Sequence, residues 1–221
     1  MKRKSIRFAL SAFFMGLLIF WGVQDVNAAL LYDNGSPNQA DGNEMTAWIQ
    51  AEDFNLTAGA TITGVRFWDF TYGGSGYNGS ITWQIYSDSN GQPGTVLASG
   101  NTAAVTRTPT GVNTYFGPEM QDDFSVGSVN LNPGTYWVGL HNGPLTHDSR
   151  DELYWETTDI NSTTAGNEDA APFGDKSWYN NGQEHAFELY GNTEQVPEPS
   201  IMLLLGAGLA GIGCVRKRIA G

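Results

Sequence analysis

The side chains that could do chemistry in this chain are mainly carboxylates. A glycoside hydrolase needs two carboxyls roughly 5 to 10 Å apart, one as acid and one as base or nucleophile. Three pairs of sequence neighbours could supply them: Glu52 and Asp53, Asp122 and Asp123, and Asp151 and Glu152. In an acidic domain such pairs are commonly solvated surface, so we assign no catalytic residue.

One loop combines two histidines with an aspartate. Imidazole and carboxylate groups bind transition metals well, and His141, His147 and Asp148 lie close together in the sequence. A spacing of six between the histidines is not that of a known metal motif, and we predict no metal site. A structural calcium ion is compatible with the many carboxylate oxygens, but no EF-hand or repeat organises them, so no position is assigned. No other cofactor is expected.

Known catalytic motifs are missing from the sequence. It has no P-loop, no H-E-x-x-H and no G-x-S-x-G. Residues 206–211 match G-x-G-x-x-G, but they lie in an apolar tail with no strand before them, so a packing role in a membrane helix is the better interpretation.

Tryptophans are the better indication of binding. Six lie between residues 29 and 194, and a flat exposed ring beside amide side chains is a surface on which sugars stack. Trp83 alternates with apolar neighbours and is expected in the core. The candidate sugar contacts lie out of phase with the core residues or in a polar loop: Trp178, Tyr179, Asn180, Trp137 and Trp68.

These residues are positioned by β-strands. Short runs with period-two alternation recur between Gly, Asn, Asp, Pro and Ser, as in Ser80–Ser87, where Ile81, Trp83 and Ile85 share one face. Ten strands are predicted: 29–32, 46–55, 61–70, 80–87, 96–106, 112–116, 120–126, 134–141, 154–157 and 185–190. This pattern predicts an all-β fold, a single antiparallel β-sandwich of jelly-roll-like form over residues 29–194.

The charge of this domain limits its partners. The whole chain carries a net charge of -12, but residues 29–194 contain 21 acidic side chains against four basic ones: Arg66, Arg107, Arg150 and Lys176. Such a surface repels nucleic acid, whereas neutral glycans and divalent cations are acceptable ligands. The single cysteine, Cys214, lies in the C-terminal tail, so the domain has no disulfide.

The N-terminus predicts export. Lys2, Arg3, Lys4 and Arg7 precede the apolar stretch 8–23, and small or modest residues at 26–28 suit a signal peptidase. We therefore predict a signal peptide over residues 1–28, with an uncleaved N-terminal anchor as the alternative.

The C-terminal segment, residues 195–221, has three consecutive parts. Pro197 and Pro199 keep the chain extended and accessible around Glu198, and an apolar run at 201–215 predicts a transmembrane helix of about 22 Å, short for a bilayer. A basic stop follows, made of Arg216, Lys217 and Arg218.

The order of these parts carries a resemblance. The motif Val196, Pro197, Glu198, Pro199 and Ser200, the Gly-rich apolar helix and the basic cluster together resemble the PEP-CTERM sorting domain of bacterial exported proteins. The resemblance implies recognition by an exosortase, a membrane-embedded processing enzyme, in bacteria that make exopolysaccharide. An ordinary C-terminal membrane anchor is the alternative.

A second resemblance lies within the domain. Residues 50–54, 83–88 with 94–100, 131–137 and 186–191 are similar to β-sandwich ectodomains common among PEP-CTERM proteins. That similarity supports the fold and implies no activity.

Two functions follow as expectations. The first is a non-enzymatic envelope or extracellular-matrix protein that is anchored transiently in the membrane, then moves to the cell surface or matrix and binds exopolysaccharide. The alternative is a carbohydrate-active enzyme, a glycoside hydrolase or lyase, on the same scaffold. A groove with two close carboxylates would favour the enzyme, and an exposed aromatic platform would favour the binder.

Overall fold

The computed structural model describes residues 28–147, 149–160, 165–169 and 177–193. Every regular element in that part of the chain is a β-strand, as the alternating pattern predicts. The thirteen strands are β1 (Ala29–Asp33), β2 (Pro37–Glu44), β3 (Ile49–Leu56), β4 (Ala60–Thr71), β5 (Ile81–Asp88), β6 (Pro93–Thr102), β7 (Val105–Asn113), β8 (Pro118–Leu131), β9 (Gly134–Asn142), β10 (Leu153–Thr158), β11 (Asn167–Asp169), β12 (Tyr179–Asn180) and β13 (Phe187–Thr193).

The strands form two antiparallel sheets. In the seven-stranded sheet, β4 is central: β8 pairs along one side of it, and β13 and β10 pair along the other. Outside these, β7 pairs with β8, β1 with β13 and β2 with β10. The six-stranded sheet has the order β12-β11-β3-β9-β5-β6.

Both sheets contribute to one apolar core. Ile81, Trp83 and Ile85 of β5 pack into the same cluster as Phe67 of β4 and Leu189 of β13. The predicted inward face of β5 and the core position of Trp83 are therefore confirmed. An antiparallel sheet whose side chains alternate in this way buries one face against its partner sheet.

The strand prediction fails where turns and polar strands occur. The predicted strand 96–106 is two strands, β6 and β7. The predicted strand 112–116 runs into the turn between β7 and β8, where Thr114 N–H donates to the Gly117 carbonyl at 2.9 Å. Strand β2 was not predicted, because Pro37–Glu44 contains almost no apolar residue. It forms nevertheless, because it pairs with β10.

Candidate functional site

Trp137 is not a surface residue, and its predicted sugar contact is wrong. The ring lies on the face of β9 opposite the main core, as its phase predicts, but it is 0% exposed. It packs with Ala51 and Tyr86 in a second, smaller apolar cluster, and its indole N–H donates to Asp88 Oδ1 at 3.0 Å. Phase identified the face correctly, but it could not show that another segment covers that face.

The covering segment contains Trp178. Its ring packs against this second cluster and meets the Tyr86 ring edge-on, with centroids 5.4 Å apart and planes at 83°. Trp178 is half-buried, whereas the next two residues, Tyr179 and Asn180, are exposed. Among the predicted sugar contacts, these three adjacent residues are the ones that reach the surface.

Trp68 is also too buried for sugar stacking. It is 9% exposed, because it lies on β4, the central strand, and is bordered on both sides by neighbouring strands. This predicted contact is therefore wrong, but the cause differs from that at Trp137, which a remote segment covers. Alternation along a strand predicts the side of a sheet, whereas exposure also depends on what lies beside and above it.

The carboxylates that neighbour each other in sequence point to opposite faces. Asp122 is 0% exposed and accepts from Arg107 Nε at 2.9 Å inside the molecule, while Asp123 accepts from Arg66 Nε at 2.8 Å on the other face. Adjacent strand residues diverge in this way because side chains alternate. Asp122 and Asp123 therefore do not form an acid and base pair.

A buried ionic cluster brings together residues distant in sequence. Arg107 Nη2 donates to both carboxylate oxygens of Asp69, at 2.7 and 2.8 Å, in addition to its bond to Asp122, and its guanidinium lies 4.3 Å from the centre of the Tyr77 ring. Burial raises the pKa of Asp69 well above its usual range, and the nearby Asp122 carboxylate adds to the effect. The side chains of both aspartates are fully buried, so this cluster stabilises the fold and offers no substrate access.

A second pair of carboxyls is buried between strands that are not neighbours in the sequence. Glu156 on β10 is 0% exposed and Glu119 on β8 is 3% exposed. Burial, followed by the charge of Glu119, raises the pKa of Glu156 to about 8. Gln39 Nε2 donates to Glu119 Oε2 at 3.3 Å. Solvent does not reach either carboxyl, so the pair is not placed to act on a sugar chain.

The histidines of the predicted loop make hydrogen bonds within the protein. His141 is 0% exposed, its Nδ1 lies 3.1 Å from the Gly143 carbonyl, and burial lowers its pKa. His147 Nε2 lies 2.7 Å from one oxygen of Asp151, whose other oxygen accepts from Ser75 at 2.9 Å. Because the carboxylate stands between the serine and the histidine, the imidazole does not activate the hydroxyl as a nucleophile.

A third buried titratable pair joins the two sheets. His185 Nδ1 lies 2.8 Å from Glu52 Oε2, and His185 Nε2 lies 2.9 Å from Asn43 Oδ1. Burial lowers the pKa of His185 to about 3 and raises that of Glu52 well above its usual range. Both side chains are fully buried, so their hydrogen-bonding partners are protein groups and not solvent.

Two of the surface grooves formed by the described residues lack the features of the predicted sugar site. One, of about 390 Å³, lies along β4 and β8 around Arg66 and Tyr190. The other, of about 480 Å³, is lined by polar residues including Asp41, Asp159 and Gln183. Neither is lined by tryptophan.

The described residues offer neither a metal cluster nor a membrane-spanning helix. Within the described ranges, no group of three or more His, Cys, Asp or Glu side chains is placed to hold a metal ion. In the same part of the chain no helix has the length and apolar character needed to cross a membrane. The signal peptide over 1–28, apart from Ala28, and the predicted helix at 201–215 lie outside the described residues, as do the sorting motif at 196–200 and the basic stop at 216–218.

Comparison with known proteins identifies the C-terminal segment. Residues 195–218 match the family model of the PEP-CTERM protein-sorting motif. No curated protein matches the chain. The matched range contains the motif, the apolar run and the basic residues in the order described above, so the chain carries a PEP-CTERM sorting motif and is an exported protein consistent with an exosortase substrate.

Proposed function

We propose that this protein is an envelope or extracellular-matrix component that an exosortase releases from a transient membrane anchor. The observation that supports the proposal is the match of residues 195–218 to the sorting motif. We further propose that residues 29–194 form a jelly-roll-like sandwich that binds exopolysaccharide and does not hydrolyse it.

The chemistry of the tail suits temporary anchoring. Prolines at 197 and 199 remove two backbone donors and bias Glu198 toward an extended conformation that a processing enzyme can reach. A helix over 201–215 is short for a ~30 Å hydrocarbon core, and the cationic residues 216–218 stay on the cytoplasmic side. The domain before it is thereby held outside until the chain is cut.

Processing can be tested in a host that has an exosortase. Wild-type protein should lose its C-terminal helix, whereas replacing Pro197, Glu198 and Pro199 by alanine should leave a full-length, membrane-bound form. A matched control replaces Asn192, Thr193 and Glu194 by alanine, which leaves the motif intact and should be processed. Equal masses of the motif variant and the wild type in the envelope fraction would contradict the proposal.

Glycan binding is supported by the surface segment at Trp178, Tyr179 and Asn180. Tyr179 and Asn180 are exposed, and the Trp178 ring rests on Tyr86. Stacking on an aromatic face needs no charge, which suits an acidic domain. The burial of Glu119 and Glu156 argues against this pair as the acid and base of a hydrolase, which needs its carboxyls open to a sugar chain.

Calorimetry against the host's exopolysaccharide tests this part. We expect weak binding that is lost in Trp178→Ala and Tyr179→Ala, with thermal unfolding of Tyr179→Ala unchanged because its ring is 59% exposed. If both variants bind as the wild type does, the segment is not the site. Accumulation of reducing ends would instead establish the enzyme alternative.

A further inference from the structure

The turn between β7 and β8 carries an aromatic surface distant in sequence from Trp178. Tyr115 at this turn is 89% exposed, and Tyr72 at the end of β4 is 51% exposed. Both rings contact Phe116 between them. We call Tyr72, Tyr115 and Phe116 the hairpin patch.

The rings of the hairpin patch are held in fixed orientations. Tyr72 and Tyr115 stand nearly perpendicular to Phe116, at 88° and 89°, with centroids 5.6 and 5.3 Å from it. Phe116 in turn stacks on Phe70 at 4.9 Å and 13°. Because Phe70 is 2% exposed and also stacks on Tyr154 at 5.4 Å, the exposed rings rest on a packed base. Prior ordering of a binding surface reduces the entropy lost when a ligand binds.

The turn itself is also ordered. Thr114 Oγ1 accepts from the backbone N–H groups of Phe116 and Gly117, each at 3.1 Å, and donates to the Gly117 carbonyl at 2.9 Å. These bonds close the tip on itself. Tyr115 is thereby presented outward from a structured turn.

A charged pair is connected to Tyr72 through the backbone. Tyr72 N–H donates to the Glu152 carbonyl at 3.0 Å, and the Glu152 side chain pairs with Arg150 Nε at 3.0 Å. The Arg150 side chain is 59% exposed and also donates to Tyr154 Oη at 3.2 Å. Of the three arginines in the described residues it is the most accessible, since Arg66 and Arg107 are 29% and 19% exposed. A guanidinium next to a carboxylate offers donors and acceptors suited to adjacent hydroxyls.

We propose that the hairpin patch is a stacking site for pyranose rings of a neutral polysaccharide, with Arg150 and Glu152 bonding the sugar hydroxyls. The proposal rests on the proposed glycan-binding function and gives it a second site, whose three aromatic residues the sequence pattern did not single out. Sugar faces carry C–H groups that pack on Tyr72 and Tyr115, and their edges carry hydroxyls that reach the charged pair.

The dimensions and charge of the patch favour a glycan over a protein partner. A stable protein interface buries about 800 Å² on each partner around an apolar centre, whereas this patch has two exposed rings on a narrow turn flanked by Thr110, Gly111 and Gly117. Two rings are sufficient to hold neighbouring units of a sugar chain. The acidic excess of residues 29–194 disfavours polyanionic chains, so the glycan is neutral.

Affinity electrophoresis of the full-length chain tests the proposal, with dextran, laminarin or hydroxyethyl cellulose in the gel. We expect retardation by at least one of them, and a dissociation constant at least about tenfold weaker for Tyr72→Ala with Tyr115→Ala, which is ~1.4 kcal/mol. Tyr115→Phe keeps the ring and should keep binding. Arg150→Met should weaken binding while leaving the stack in place.

The outcomes separate this site from the Trp178 segment. Loss of binding in the double tyrosine variant, with its thermal midpoint unchanged, supports the hairpin patch. Full binding by that variant together with loss in Tyr179→Ala overturns the patch and leaves the proposed function standing. Absence of retardation of the wild type by all three polysaccharides overturns the hairpin patch as a site for neutral glycans, whereas binding of the host's exopolysaccharide is decided by the calorimetry above.

Discussion

Replacing Arg107 by methionine should destabilise the domain strongly. The guanidinium holds Asp69 with two bonds and Asp122 with one, and the side chains of both aspartates are 0% exposed. Methionine fills similar space but leaves two buried carboxylates facing each other without a cation. Removing one partner from a buried ion pair costs about 3–5 kcal/mol, which for a domain of this size lowers the melting temperature by roughly 6–20 °C.

The loss of stability in Arg107→Met should become smaller as the pH falls. Burial raises the pKa of both aspartates in the wild type, and Arg107 opposes that rise, so removing Arg107 raises both pKa values further. Between pH 7 and 5 the folded variant therefore holds more protons than the folded wild type, while the unfolded aspartates, with pKa values near ~3.9, are ionised. The free energy of unfolding of the variant therefore rises as the pH falls from 7 to 5. The difference between variant and wild type should shrink over that interval.

Urea unfolding at pH 7 and pH 5 measures both effects. Arg150→Met is the matched control, because that arginine forms an exposed pair with Glu152, which is expected to contribute only ~0–1 kcal/mol. Adding Asp69→Asn to Arg107→Met should recover part of the lost stability. If Arg107→Met and Arg150→Met unfold at the same urea concentration, or the deficit is as large at pH 5 as at pH 7, the cluster does not stabilise the fold as described.

Two further predictions concern buried side chains. Glu156 has a pKa of about 8 in the folded protein and a lower pKa in the unfolded chain, so its contribution to stability is lost as the pH rises toward 8. Glu156→Gln should therefore raise the urea midpoint at pH 8 and change it little at pH 5. An unchanged midpoint at pH 8 would contradict the raised pKa. Trp137→Ala should cost ~3–5 kcal/mol because the ring is fully buried, and Trp178→Ala should cost less because Trp178 is only half-buried. Thermal melts compare the two variants, and equal losses would refute the difference in burial.

Much of the fold follows from the sequence, because apolar alternation that turn residues interrupt every few positions predicts short antiparallel strands. Strand β5 shows this, with Ile81, Trp83 and Ile85 all in the core. Strand β2 shows the limit: its sequence is polar, and its structure comes from pairing with Tyr154–Thr158 of β10. Local composition cannot reveal a strand whose stability comes from its neighbour.

Prediction of site residues fails for a related reason. The phase of Trp137 correctly places it opposite the main core, but exposure depends on whether a remote segment covers that face, and Trp178 does. The converse holds at the hairpin. Tyr72 and Tyr115 belong to different strands and turns, and only the pairing of β4 with β8 brings them to the same ring of Phe116.

The same pairing explains why acidic residues are poor guides to function in this chain. Sequence neighbours such as Asp122 and Asp123 are separated by the sheet, whereas Asp69 and Asp122, on paired strands, converge on Arg107. Carboxyls that converge in this way are buried, so a ligand does not reach them. The groups left to meet a ligand are exposed rings with accessible polar neighbours, and this is why the aromatic surface, rather than the acidic pairs, carries the binding proposal.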